Sequence, residues 1–349
     1  MFPSRFPGAV LLALVLTVVP VASSRAAETP PGLALSVPSA LVDETSGTLT
    51  VHWTDADGAA VPGTVRIWSH GRGRPWAPGT LVHLDASGRK ALPIRPRVDT
   101  WYQVRGEAGP VDETGAPSWP AARSAVRYVD NKPPARRVVL PPKAPRPKKL
   151  PAQPRAVGAG AAVVVTRIPR DVWSSMVGRS WRPGCPVGRS NLRLIRVNYW
   201  AFDGYRRRGE LVVRASAVGD FTRALKRLYA ARVPIRSMYL PDRFGYTARS
   251  GGADDYRSMA HDNTSAFNCR WVTGRPRVRS PHSYGRSLDL NPWENPFRSA
   301  KGWKPNRWWI GHSNPRYAWR SGKHRVVKIM RSSGFRWSWP GSDPQHFDA

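Results

Sequence analysis

From Lys132 to Ala156 the chain carries eight prolines and eight basic residues, with no acid among them. Proline fixes φ and removes a backbone donor, so this composition excludes a helix or a central strand. The stretch is expected to run as an extended, polyproline-type spacer that packs no core of its own. It therefore splits the 349-residue chain into two folding segments, 28–131 and 157–349. That length also suits two domains better than one.

Charge follows the same division. The formal net charge is +32, from 55 Lys+Arg against 23 Asp+Glu. Segment 28–131 is close to neutral, with 10 bases and 11 acids. The spacer carries +8, and segment 157–349 carries 35 bases against 12 acids. Such a field implies an anionic partner: nucleic acid, anionic lipid or an anionic wall polymer.

The N-terminus narrows that choice. Arg5 precedes an apolar run from Gly8 to Ala22, and Ser24-Arg25-Ala26 offers small residues for a cut after Ala26. Residues 1–26 read as a secretory signal peptide, too short for a spanning helix. An uncleaved anchor is the other reading. Export makes nucleic acid an unsuitable natural partner, and no later segment is apolar enough for a stable membrane span. An oxidising compartment also suits a Cys185–Cys269 disulfide over two buried free thiols. With two Cys in total, a disulfide-rich scaffold and a multi-Cys metal framework are excluded.

In segment 28–131, the runs 48–53, 63–68, 81–84 and 100–104 are rich in Thr, Val, Leu and aromatics. Turn residues follow the first and third, at Asp55-Ala56-Asp57-Gly58 and Asp85-Ala86-Ser87-Gly88. Short strands recurring in this way suggest a small all-β sandwich. His52, His70 and His83 are scattered through it and read as strand or loop residues.

Segment 157–349 reads as α+β. Residues 209–213 form an expected strand, and 220–231 an amphipathic helix with Phe221, Ala224, Leu225 and Leu228 on one face. Pro234 ends that helix, and Ile235 to Tyr239 is the next expected strand. Val326, Val327, Ile329 and Met330 mark a second helix that stops at Gly334.

The chemistry concentrates in Ser280-Pro281-His282-Ser283-Tyr284-Gly285-Arg286-Ser287-Leu288-Asp289. Alternation from Ser287 predicts a strand with Leu288 and Leu290 facing the core and Asp289 on the other side. A bend at Gly285 can return His282 towards Asp289. Imidazole nitrogen and carboxylate oxygen both suit Zn²⁺. A third ligand is available in Asp343-Pro344-Gln345-His346, where Pro344 argues against a continuous helix. His346 can complete the ligand set. Asp343 can sit beside the open fourth position and take a proton from the attacking water.

These residues carry a resemblance. Ser280-x-His282-x-x-Gly285-x-x-x-Asp289, followed by Asp343-x-x-His346, resembles the VanY-like D-alanyl-D-alanine carboxypeptidase family of zinc peptidases, in its secreted bacterial branch. Asp255 to Met259, Asp262 to Arg270, Asn291 to Phe297 and Gly184 to Val187 look like further segments of that group, so the likeness covers roughly 175–349. It implies a zinc DD-peptidase (hedgehog-like) catalytic domain acting on peptidoglycan peptides. It also implies zinc on His282, Asp289 and His346, with Asp343 as general base. An upstream Arg in the family binds substrate; Arg257 matches that place first and Arg270 second. A guanidinium suits that task because it pairs bidentately with a carboxylate. Where many carboxypeptidase members have Glu-x-x-His, this chain has Asp343-x-x-His346. That shorter acid resembles the endopeptidase branch that cuts between L-alanine and D-glutamate. His261 reads as structural or exposed, and His312 and His324 as surface residues. Asp348 is either a partner of the last ligand or a frayed terminal residue.

Two other readings stand beside the peptidase. One is a non-catalytic cell-wall-binding protein with a structural or vestigial zinc site. The other is a nucleic-acid binder, motivated by charge and by 16 Trp. Eleven of those Trp lie after residue 156, near core and motif segments such as Trp308-Trp309 and Trp337-Ser338-Trp339, where packing is the simpler role. With export, the charge reads best as retention on an anionic cell-wall polymer.

Overall fold

The computed structural model describes residues 32–349. The expected signal peptide lies outside the described residues. The chain divides into two compact units. One holds most of the residues up to Arg127. The other holds Tyr128–Ala349 together with Pro38–Gly47 and Pro93–Thr100.

In the first unit, the strands Gly32–Ser36, Gly47–Thr54 and Arg89–Ile94 form one sheet, in the order given. Thr64–Gly71 pairs antiparallel with Ala77–His83, and Thr100–Gly106 pairs antiparallel with Ala122–Arg123. Each of the four strand runs read from the sequence overlaps one of these strands, with Gly63 and Leu84 just outside. Strict alternation explains why: Leu49, Val51 and Trp53 are buried, while their neighbours are not. His70 stacks on Trp101 with Trp76 tilted against it, and His83 meets the Thr64 hydroxyl at 2.8 Å, so both are absorbed by local packing.

The second unit is sheet-rich with few helices, compatible with α+β. Its main sheet runs Val164–Arg167, Leu192–Ala201 and Arg206–Arg214, all antiparallel. The expected strand 209–213 is the centre of the last. The helix Val218–Ala230 lays Phe221, Ala224, Leu225 and Leu228 against Ile195, Val197, Leu211 and Val213. The helix Arg325–Arg331 adds Val326, Val327 and Met330 to the same core, and Gly334 follows with a φ of +104°. Leu288 and Leu290 reach this core too. It thus backs the segment that carries the chemistry.

Two expectations need correction. The strand after Pro234 is only Pro234–Ile235, paired parallel with Trp200 and Ala201. Its next residue, Arg236, leaves the sheet because its guanidinium is drawn to Asp262 at 2.8 Å and Glu294 at 3.0 Å, both fully buried. The second correction concerns the proline-rich segment. Residues 133–156 form no helix or strand, but they are not a free spacer. Leu140 and Ala144 are buried with Phe202, Trp293, Trp309 and Tyr317. Donors from the body of the unit reach carbonyls that proline leaves unpaired: Trp293 Nε1 to Pro145 O at 2.9 Å and Tyr239 Oη to Pro151 O at 2.8 Å. The Lys148 amide donates to Ala260 O at 2.8 Å. Proline prevents self-pairing, so the segment satisfies its backbone against the domain instead.

Cys185 and Cys269 are joined, with Cα atoms 6.0 Å apart. The bond ties the segment between the first two strands of the main sheet to the segment just before the short strand pair Trp271–Val272 and Arg275–Arg279, which precedes His282. Among the described residues, no helix is long and apolar enough to cross a membrane.

Candidate metal centre

The sequence places His282 on a tight turn and Asp289 on a strand; the fold brings them together. Ser280-Pro281 opens a 3-10 turn over Pro281–Tyr284, which Gly285 ends in the left-handed region at φ +67°. A Cβ at Gly285 would lie 2.8 Å from the Arg214 amide nitrogen, and that amide donates to Gly285 O at 2.7 Å. Both the backbone angle and the close approach require glycine here. The chain then enters the strand Ser287–Asp289, which pairs antiparallel with the C-terminal strand His346–Asp348. The register sets Asp289 opposite His346 and Ser287 opposite Asp348. Residues 57 positions apart thus become direct cross-strand neighbours.

The three side chains converge. His282 Nε2 is 3.1 Å from Asp289 Oδ2 and 3.1 Å from His346 Nδ1; His346 Nδ1 is 3.0 Å from Asp289 Oδ1. All three residues are buried. Among the described residues this is the group of His, Cys, Asp and Glu that could hold a metal ion.

Hydrogen bonds at the far sides of the rings fix which nitrogens face inward. His282 Nδ1–H donates to Ala266 O at 2.6 Å, which leaves Nε2 as the inward lone pair. His346 Nε2–H donates to Asp348 Oδ1 at 2.9 Å, which leaves Nδ1 inward. Asp348 is itself held by the Ser287 and Ser338 hydroxyls, both at 2.7 Å. Two lone pairs and a carboxylate now point at one spot. They repel unless a proton or a cation lies between them. A tetrahedral zinc with ligands at about 2 Å needs ligand atoms ~3.3 Å apart, close to the spacing found. Two imidazoles and one carboxylate also suit zinc chemically, and polar partners behind the ligands are the usual support of such sites.

The electrostatics agree. Burial opposes charge on His346, but hydrogen bonds to Asp289 and Asp348 outweigh it and lift its pKa to about 10. Asp289 is depressed despite its burial, because both imidazoles favour its charged form. A site that gathers a proton so firmly presents the negative potential that a metal cation would take up.

Asp343 lies three residues before His346 and is half-buried. Gln345 Nε2 donates to its Oδ1 at 3.1 Å, and the Asp343 amide donates to Trp339 O at 2.8 Å. Burial, with the neighbouring Asp289 charge, raises its pKa to about 7. Pro344 is followed by a strand, so no helix runs through this turn.

The two arginine candidates fare differently. Arg257 is exposed on the short helix Asp255–Ala260, and its amide is capped by Asp254 Oδ1 at 3.0 Å. Arg270 is buried, its guanidinium paired with Asp255 Oδ2 at 2.8 Å. Its amide donates to Ser283 Oγ at 3.1 Å, next to His282. Burial raises the Asp255 pKa, and the Asp289 charge adds to that, so the Arg270–Asp255 pair lies within electrical reach of the centre.

The other histidines stay apart from the centre. His261 Nδ1 lies 2.7 Å from Arg257 O, and His312 stacks on Trp308 with centroids 3.5 Å apart. His324 corrects its surface reading: it is half-buried and caps a helix, accepting from the Val326 amide at 3.2 Å. Trp309, Trp319 and Trp337 pack in the interior as expected, but Trp339 does not. It is 42% exposed and lies against the His346 ring, centroids 4.8 Å apart. Asp255 and Trp339 are the two neighbours of the centre that spacing alone did not single out. The paired tryptophans at 337 and 339 were the available signal.

Residues 273–349 match the model of the D-alanyl-D-alanine carboxypeptidase family. That span contains His282, Asp289, Asp343 and His346, and begins after Arg257, Arg270 and both cysteines. No curated protein matches the chain.

Proposed function

We propose that this chain, with its C-terminal segment of the D-alanyl-D-alanine carboxypeptidase family, is a secreted zinc-dependent peptidase that hydrolyses peptidoglycan stem peptides. The observation that carries the proposal is the convergence of three side chains, with His282 Nε2, His346 Nδ1 and the two Asp289 oxygens in contacts of 3.0–3.1 Å and both outward ring nitrogens already committed. His282, Asp289 and His346 would hold the ion. When bound, zinc supplies Lewis acidity for the scissile carbonyl and acidifies a water.

The remaining roles belong to side chains. Asp343, steadied by Gln345, takes the proton from the attacking water and returns it to the leaving amine. A carboxyl raised towards neutrality suits both transfers. Arg270 is the better placed of the two arginines to meet a substrate carboxylate, because its amide is anchored to the turn that carries His282. Arg257, exposed on its helix, is assigned a surface role. The first unit is read as a β-sandwich that takes no part in hydrolysis.

Digestion of purified sacculi by the mature protein, with and without chelator, tests this reading. Mass analysis should find released peptide fragments that disappear with chelator. Loss of terminal D-alanine would mark a carboxypeptidase, and new internal termini an endopeptidase. Fragment release that ignores the chelator would overturn the proposal.

A further inference from the structure

The corrected proline-rich segment creates a feature apart from the metal centre. Within the second unit, residues 137–153 line an open cavity of about 600 Å³. None of its lining residues is a candidate zinc ligand. The lining is cationic: Arg137, Arg146, Lys148 and Lys149 come from the segment itself, and Arg207 and Arg236 from the domain body. The one carboxylate in the lining, Asp203, is already paired with Arg207. Arg236 is likewise committed to Asp262 and Glu294. The four cations of the segment are all exposed, and no ion-pair partner is found for them among the described residues.

The backbone that presents these charges is fixed. The bonds from Trp293 and Tyr239, and the Lys148 amide bond, flank Arg146 and Lys149 on both sides. Gln153 closes the run, donating to Met238 O at 2.9 Å. Ordered backbone lowers the entropy cost of converging several long cationic side chains on one ligand. Between the charges, Val138, Leu140 and Phe202 supply an apolar wall.

We propose that this cavity is a second, non-catalytic binding site for a polyol-phosphate polymer. Phosphate is favoured over carboxylate by the number of unpaired cations gathered along one short segment. Four cations of the segment, none of them held in an ion pair among the described residues, border the cavity, and tetrahedral phosphate oxygens accept from several of them at once. A planar carboxylate is filled by one guanidinium. The apolar wall suits the uncharged carbon units between successive phosphates. The site would hold the protein on its surroundings, and it does not depend on the peptidase reading.

The test uses the full mature chain and soluble poly(glycerol phosphate), with binding followed by titration calorimetry. One variant carries Arg137→Gln, Arg146→Gln, Lys148→Gln and Lys149→Gln. A control carries Arg170→Gln, Lys226→Gln, Lys323→Gln and Lys328→Gln, which removes the same charge from exposed sites elsewhere. The cavity variant should bind about tenfold more weakly or worse, since converging charges are lost. The control should change by about twofold or less, the effect of dispersed surface charge. Equal weakening in both variants would overturn the site in favour of general attraction. Absence of binding by the native chain, or equally tight binding of poly-glutamate, would overturn the phosphate assignment. Circular dichroism should show both variants folded. Hydrolysis of a small soluble peptide should be unchanged in the cavity variant.

Discussion

His346 is held from two sides, and its behaviour depends on both. Asp289 faces one ring nitrogen and Asp348 the other. Asp348→Asn keeps the shape but weakens the outward hydrogen bond that fixes the tautomer. Zinc affinity should fall by about 10- to 100-fold, the usual effect of losing such a partner, while the fold is retained. A competition titration against a chelating dye measures this. Arg236 makes a different case. It is the cation between the buried carboxylates of Asp262 and Glu294, and burial already pushes the Glu294 pKa well up. Arg236→Met would leave two buried acids facing each other, so urea denaturation should show a loss of about 3–5 kcal/mol. At this scale the sequence was informative where spacing is local. His346 and Asp348 stand two apart on a strand and share a face. Asp255 was not legible, because its partner Arg270 is distant in sequence and adjacent only through the fold.

The element that carries the centre is the antiparallel pair Ser287–Asp289 and His346–Asp348, introduced by the turn at Gly285. Gly285→Ala would force a Cβ to within 2.8 Å of the Arg214 amide and strain a positive φ. The expected cost is about 1–3 kcal/mol, with loss of zinc binding before loss of global structure. Thermal unfolding and metal content, measured together, separate the two effects. The disulfide acts on the same region, since Cys269 follows the segment that caps His282 and lies 84 residues from Cys185. Replacing both cysteines by Ala should lower stability by roughly 2–4 kcal/mol in a urea titration. Periodicity revealed the helices at Val218–Ala230 and Arg325–Arg331, whose apolar faces are long enough to show a pattern. It failed at Pro234–Ile235, where two residues carry no period and a buried ion cluster draws the chain away.

Across the whole molecule, composition drew attention to residues 132–156 but did not give their conformation, and the segment lies within one compact unit. Proline content describes what a segment cannot do for itself. It does not reveal that Trp293 and Tyr239 will supply the missing donors. The charge of +32 is likewise readable from composition, whereas the convergence of part of it on one cavity is a property of the fold. If that charge holds the protein on an anionic wall, raising salt should release it from sacculi at concentrations that scarcely slow cleavage of a small soluble peptide. Screening weakens dispersed surface attraction first. Equal salt sensitivity of retention and cleavage would contradict this.

The central claim is that His282, Asp289 and His346 hold the ion and Asp343 works beside it. The most direct measurement is zinc content per chain, taken with peptide release from sacculi, for the native protein, His282→Ala and Asp343→Ala. The native chain should bind about one zinc, the occupancy of a single three-ligand site, and release fragments. His282→Ala should lose metal and activity together. Asp343→Ala should keep its zinc and lose hydrolysis. Fragment release by either variant at the native rate would contradict the claim.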